Sequence, residues 1–94
     1  ELSTVKIHTI RPEQAFSLQT HEHRAEFWHI LAGSGTITVN DSKIEVQPGD
    51  KFYIERGEPH RAEGGAEGLS ILEVSIGDFN ERDIVRLDDR YGRD

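Results

Sequence analysis

Short runs of alternating apolar and polar residues, separated at regular intervals by turn-forming residues, constrain the fold of this chain most strongly. Side chains on a β-strand point to opposite faces in turn, so this pattern predicts strands with one buried face. Glycine, proline, asparagine and aspartate mark the intervening turns. Seven such runs lie at residues 5–10, 16–20, 27–32, 36–39, 43–46, 51–54 and 69–76. Their length and spacing predict an all-β sandwich or barrel.

Three other segments are predicted to be something other than strand. The Gly-Ser-Gly sequence at 33–35 is predicted to end a strand, and the glycine-rich segment 64–68 is predicted to be a loop. Residues 83–87 are the one place where the pattern allows a helical turn.

Composition limits the domain count and the partners. With 94 residues, of which 34% are hydrophobic, we expect one domain over residues 1–94 and further burial in a homodimer. The 18 acidic residues outnumber 11 basic ones, and the net charge of −7 disfavours nucleic acid and anionic membranes as partners. Local arginines could still bind a small anion. Neither a membrane-length apolar run nor a signal-peptide pattern occurs, so we expect a cytoplasmic protein.

The richest chemistry lies just before the most apolar run. Gln19, His21 and Glu26 fall within eight positions, and alternation allows all three to face the interior. His60 follows a turn in a separate segment that could return to the same place. The chain has no cysteine, so any metal must take nitrogen and oxygen ligands. Such a set suits a borderline divalent ion such as zinc, manganese or iron.

The remaining histidines carry weaker signals. His23 lies two residues beyond His21, so it is a candidate ligand, a group behind the ligands, or a proton donor. His8 and His29 are predicted to have no function. Glu26 immediately precedes an apolar run, and a buried carboxylate must be paired or bound to metal.

Two segments resemble the cupin motifs. The first runs from Glu26 to Gly33, with His21 at the expected distance before the glutamate. The second segment, residues 49–60, resembles the second cupin motif and ends at His60. This resemblance implies a cupin fold, a double-stranded β-helix or jelly-roll barrel.

The similarity is closer to one family, the type II mannose-6-phosphate isomerase domain. Gln19 stands where most cupins have histidine, which is typical of phosphomannose isomerases. Residues 17–28, 71–78 and 83–93 are similar to the sequences of that family. In its bifunctional members this domain follows a mannose-1-phosphate guanylyltransferase domain.

The resemblance implies a metal-dependent sugar-phosphate isomerase that serves nucleotide-sugar and polysaccharide synthesis. It implies Gln19, His21, Glu26 and His60 as ligands of a divalent ion, zinc first, with manganese, iron or nickel as alternatives.

Chemical type then suggests the remaining roles. His23 is the predicted acid–base group, because imidazole titrates near neutral pH. Arg86 is predicted to be catalytic, and Arg24 and Lys6 are predicted to bind the phosphate of a sugar-phosphate substrate.

Two alternatives stay open. Arg82 stands where the family has an acid, and His29 stands where it has an aliphatic residue. These departures favour a stand-alone cupin that binds metal and sugar without turnover. An oxidative cupin such as a dioxygenase is the other alternative, although Gln19 in place of histidine speaks against it.

Overall fold

A computed structural model describes residues 3–77 and 83–88 of the chain. Seven β-strands account for most of these residues. They are β1 Ser3–Ile10, β2 Leu18–Thr20, β3 Arg24–Val39, β4 Ser42–Val46, β5 Lys51–Ile54, β6 His60–Gly77 and β7 Val85–Asp88. The all-β prediction is therefore confirmed. The helical turn predicted at 83–87 is wrong, because β7 begins at Val85 and pairs with β2.

Two long strands organise the fold. β3 and β6 are antiparallel partners over most of their length, from Arg24 opposite Gly77 to Val39 opposite His60. At one end of this pair β1 joins β6 and β5 joins β3, and at the other end β2 and β4 join instead. The long strands thus pass from one group of strands to the other, as in a jelly roll.

Glycines allow this passage. The predicted breaks at 33–35 and 64–68 are wrong, because both segments lie inside strands. The β3–β6 register shifts at this point, between Gly33 and Gly35. Gly68 has a φ of +73°, and a Cβ there would lie 2.7 Å from the carbonyl oxygen of Ile10. Glycine therefore lets the strands bend and approach one another where a side chain would not fit.

The interior divides into an apolar part and a polar part. The apolar core consists of Ile10, Trp28, Ile30, Ile37, Val46, Ile54, Ala62, Leu69 and Ile71. On β1 the expected pattern is reversed, since Val5 and Ile7 are 63% and 66% exposed while Lys6 and His8 face inward. In the described ranges, no helix is long and apolar enough to cross a membrane.

Candidate metal centre

A cavity of about 390 Å³ occupies the polar part of the interior. It is lined by side chains from β1, β2, β3 and β6 and from the segments beside them. These are Lys6, His8, Phe16, Ser17, Gln19, His21, Arg24, Glu26, Trp28, His60, Arg61, Glu73 and Ile84. All four predicted metal ligands are among them.

Strand pairing brings the ligands together. Gln19 on β2 lies directly opposite His60, the first residue of β6. Glu26 lies on β3, where Trp28 and Ile30 share its inward face and Phe27 and Leu31 are exposed, as alternation predicts. His21 lies in the bend between β2 and β3.

Three of these side chains form a compact donor cluster. One ligand atom from each of His21, Glu26 and His60 lies within 4.8 Å of the others, and all three residues are buried. The Nε2 atom of His21 is 3.4 Å from Glu26 Oε2, and that of His60 is 3.7 Å from Glu26 Oε1. Ligands about 2.1 Å from one tetrahedral zinc ion lie about 3.4 Å apart, so the spacing fits a shared ion.

Backbone carbonyls orient both imidazoles. Nδ1 of His21 donates to the Asp83 carbonyl at 2.6 Å, and Nδ1 of His60 donates to the Glu58 carbonyl at 2.9 Å. Each Nε2 is thereby left as the lone-pair nitrogen that faces the cluster. Burial lowers the pKa of His60, although the Glu58 hydrogen bond and the Glu26 charge oppose that shift. A neutral imidazole is the form that binds metal.

Asp83 also holds the bend that carries His21. Its carboxylate accepts hydrogen bonds from the backbone N–H groups of Glu22, at 2.9 Å, and His23, at 2.8 Å. Burial raises the pKa of Asp83, but these hydrogen bonds outweigh it and the pKa lies below its usual value. The segment before β7 thus fixes the position of a predicted ligand.

Gln19 presents its amide to the same cavity. Its Nε2 donates to the Ser17 hydroxyl at 3.0 Å, and Ser17 is itself buried. With the nitrogen end engaged, the carbonyl oxygen is the end that suits a metal ion. Two imidazoles, a carboxylate and an amide oxygen form a donor set suited to zinc or a similar ion.

The carboxylate of Glu26 is fully engaged within the protein. Its Oε2 accepts from Arg24 Nε and its Oε1 accepts from Trp28 Nε1, both at 2.9 Å. The Arg24 Nη2 atom also lies 3.2 Å from His21 Nε2. Arg24 therefore balances the negative charge of Glu26 inside the cavity.

The predicted catalytic and substrate-binding residues do not all meet here. Arg24 and Lys6 line the cavity. His23 does not, because the chain bends after Thr20 instead of continuing as a strand. Its side chain is 71% exposed and lies 3.4 Å from Asp83 Oδ1. The backbone of Arg86 pairs with Gln19, while its side chain, like residue Arg82, is outside the described part.

Sequence reasoning missed two residues of the site. His8, predicted to be non-functional, lines the cavity and its Nε2 lies 2.6 Å from Glu73 Oε1. Glu73 is a buried carboxylate within an apolar strand. The signal that pointed to Glu26 was therefore also present at Glu73. By contrast, His29 is not among the residues that line the cavity.

A jelly-roll barrel that gathers these polar groups in its interior defines the class of protein: the chain is a cupin. A solved cupin structure from Bacteroides fragilis shares the fold, with a TM-score of 0.73 and 21% identity over 86% of this chain and 74% of that one. The oxalate decarboxylase of Bacillus subtilis is similar with a TM-score of 0.84 and 27% identity, over 93% of this chain and 24% of that one.

Sequence comparison identifies the family within this class. The model of the family described as mannose-6-phosphate isomerase C-terminal matches residues 1–89, and the chain belongs to that family. A mannose-1-phosphate guanylyltransferase of Escherichia coli is 42% identical over 87 residues, which cover 90% of this chain and 18% of the relative. The alginate biosynthesis protein AlgA of Pseudomonas aeruginosa is 40% identical over 91 residues, 95% of this chain and 19% of the relative. The chain thus spans about a fifth of these relatives.

Proposed function

We propose that this chain is a metal-dependent sugar-phosphate isomerase of the mannose-6-phosphate type. It would interconvert an aldose phosphate and a ketose phosphate in nucleotide-sugar and polysaccharide synthesis, a role that fits the names of its relatives. The observation that carries the proposal is the cluster of His21, Glu26 and His60 in a cavity that is also lined by cations.

The proposed ligands are Gln19, His21, Glu26 and His60, with zinc as the first choice and manganese, iron or nickel as alternatives. A bound ion would supply Lewis-acid polarisation of the sugar carbonyl. The residues contribute preorganisation, because carbonyl oxygens already hold both imidazoles with Nε2 toward the cluster.

Cations in the cavity suit the phosphate of the substrate. Lys6 and Arg24, both predicted from the sequence, line the cavity together with Arg61. These local charges would attract an anion despite the net charge of −7. A volume of about 390 Å³ lies within the usual range of small-molecule sites, about 300–1,000 Å³.

The acid–base role of His23 and the catalytic role of Arg86 stay predictions. The exposure of His23 means that the bend between β2 and β3 would have to move for its ring to reach a sugar in the cavity. For Arg86, the pairing of β7 with β2 puts its backbone beside Gln19.

A metal- and sugar-binding cupin without turnover is the second candidate. The observation that favours it is coverage: the Escherichia coli relative is named for guanylyl transfer, and this chain spans about a fifth of its length. In such relatives the matching part could bind a sugar phosphate while another part performs the named reaction.

A coupled assay separates these two candidates. Metal-free protein is assayed for conversion of mannose 6-phosphate to fructose 6-phosphate, alone and with added zinc or manganese. We expect metal-dependent turnover. Stoichiometric metal binding without turnover would favour the binding protein, and release of carbon dioxide from oxalate instead would point to a different cupin chemistry.

Metal analysis of protein without a histidine tag tests the ligand set. His21→Ala and His60→Ala are each expected to abolish stoichiometric metal, because each removes one of the clustered nitrogen ligands. His8→Ala and the outer-face control His29→Ala are expected to retain it. Equal metal content in all four variants would contradict the assignment.

The proposal extends to the location, oligomeric state and partners of the protein. We propose a cytoplasmic homodimer that binds neither nucleic acid nor membrane. Light scattering coupled to size-exclusion chromatography measures the oligomeric state directly, and a monomer at micromolar concentration would contradict the dimer.

A further inference from the structure

A second pair of titratable groups lies in the cavity, apart from the metal cluster. His8 on β1 and Glu73 on β6 line the same space as the predicted ligands, and His8 Nε2 is 2.6 Å from Glu73 Oε1. The pair belongs to neither the metal cluster nor the apolar core. Its position makes both groups neighbours of any sugar bound in the cavity.

The carboxylate of this pair is ionised and fixed. The Ser75 hydroxyl donates to Glu73 Oε2 at 2.5 Å, so both carboxylate oxygens accept hydrogen bonds. Burial raises the pKa of Glu73, but the hydrogen bonds from His8 and Ser75 outweigh it and the pKa lies below its usual value. An ionised carboxylate can only accept, so Nε2 of His8 must carry the proton.

This arrangement selects the tautomer of His8. With the proton on Nε2, Nδ1 has the lone pair and can act as a base, as in other carboxylate–histidine pairs. The rings of His8 and Phe16 pack in a T-shaped arrangement with centroids 5.2 Å apart, which limits rotation of the His8 ring. The side chain is 24% exposed, so it is in contact with solvent within the cavity.

We propose that His8 transfers the proton between C2 and C1 of the sugar phosphate and that Glu73 positions it. The inference rests on the proposed isomerase function and adds to it the identity of the proton-transfer group. His8 would take this role in place of His23, which is exposed outside the cavity.

The step balances without any other reactant. Nδ1 of His8 accepts the proton from C2, and the electron pair of the C2–H bond forms a C1=C2 double bond while the carbonyl π pair moves to O1. The O2 hydroxyl proton then passes to O1. Finally the imidazolium returns its proton to C1, the double-bond pair forms the new C1–H bond, and C2–O2 becomes the carbonyl of the ketose.

Three glutamine variants test the assignment of the base in the presence of zinc. His8→Gln is expected to lower kcat about 100-fold or more, the range for loss of a general base, with KM changed by less than about threefold. Deuterium uptake from D₂O at C2 of mannose 6-phosphate should fall in parallel. His29→Gln, on the outer face, should match wild type, and His23→Gln tests the competing assignment of the base to His23.

Two measurements distinguish a chemical role from a structural one. Added imidazole is expected to restore part of the turnover of His8→Ala, which only a missing base would explain. Nitrogen-15 NMR should show the Nε2–H tautomer of His8 in wild type and a mixture in Glu73→Gln. That variant should lower kcat about tenfold or more while it retains stoichiometric metal.

The outcomes separate this inference from the proposed function. If wild type does not interconvert the two sugar phosphates, the isomerase and the role of His8 are both refuted. If wild type turns over and His8→Gln remains within about threefold of it, only the role of His8 is overturned. Loss of deuterium uptake in His23→Gln but not in His8→Gln would overturn it in the same way.

Discussion

The buried ion pair between Arg24 and Glu26 gives a quantitative test of how the site is stabilised without metal. Glu26 is 2% exposed and Arg24 is 8% exposed, and they are joined by a 2.9 Å hydrogen bond. Glu26→Gln keeps the shape of the side chain but removes its charge. Arg24 then remains as a buried cation that has lost its hydrogen-bonded counterion.

The expected loss is large for a domain of this size. Breaking a buried pair by removing one partner costs about 3–5 kcal/mol, because the remaining charge is uncompensated. Glu73 lies near enough to Arg24 for the arginine to lower its pKa, so its charge compensates in part. We therefore expect about 3 kcal/mol, the low end of that range, which corresponds to a fall in Tm of about 12–24 °C.

Urea unfolding in the presence of a chelator measures this loss. A second variant, Arg24→Met, and the double variant complete a thermodynamic cycle. Because the double variant has no unpaired charge, its loss should be at least about 2 kcal/mol smaller than the sum of the single losses. The exposed control Glu45→Gln should change stability by less than about 0.5 kcal/mol. A loss under about 1 kcal/mol for Glu26→Gln, or simple additivity in the cycle, would refute the reasoning.

Three further predictions concern metal, acid and the strand crossing. Zinc at about 100 times its Kd should stabilise wild type and His29→Ala by about 2.7 kcal/mol and leave His60→Ala unchanged in a thermal-shift assay; equal shifts would contradict the ligand assignment. Glu73 and Asp83 have lower pKa values in the folded state than in the unfolded chain, so both carboxylates stabilise the fold at pH values above their unfolded pKa. This contribution is lost as the pH falls through their folded pKa values. Urea midpoints should therefore fall on acidification below about pH 4.5 and do so less in Glu73→Gln and Asp83→Asn. Gly68→Ala should cost more than about 1 kcal/mol by urea unfolding, because of its positive φ and the nearby carbonyl; a neutral effect would show that the crossing can relax.

The inward face of β3 could be predicted because its sequence follows a simple rule. Glu26, Trp28 and Ile30 alternate with exposed neighbours, and a carboxylate in such a strand must find a partner. The same rule applied to Glu73 would have found the second half of the cavity. Glu73 has no neighbouring histidine in the sequence, because its partner, His8, lies on a different strand.

β1 could not be predicted from hydrophobicity. Its apolar residues, Val5 and Ile7, face outward, and its polar residues, Lys6 and His8, face the cavity. A strand that borders a polar cavity reverses the usual relation between hydrophobicity and burial. If the apolar residues of β1 were taken as its inward face, His8 would be placed on the surface.

The glycines of β3 and β6 account for the strand ends that were predicted wrongly. In an isolated strand Gly33, Gly35 and Gly64 would weaken pairing, so a local reading ends the strand there. In the fold Gly35 and Gly64 are cross-strand partners. The absence of side chains lets the two long strands bend together, which only the pairing of distant segments reveals.

The topology also implies that the proposed metal site cannot exist before the domain folds. His21 precedes β3, whereas His60 begins β6, and their Nε2 atoms converge only when β2 pairs with β6. An ion held by these residues would bind the folded state alone, so its binding free energy would add to the stability of the fold. Without metal, Arg24 supplies the positive charge beside Glu26. The domain can therefore fold around a balanced pair. Metal binding would then displace the 3.2 Å contact between Arg24 and His21 and share the Glu26 oxygens with Arg24 and Trp28.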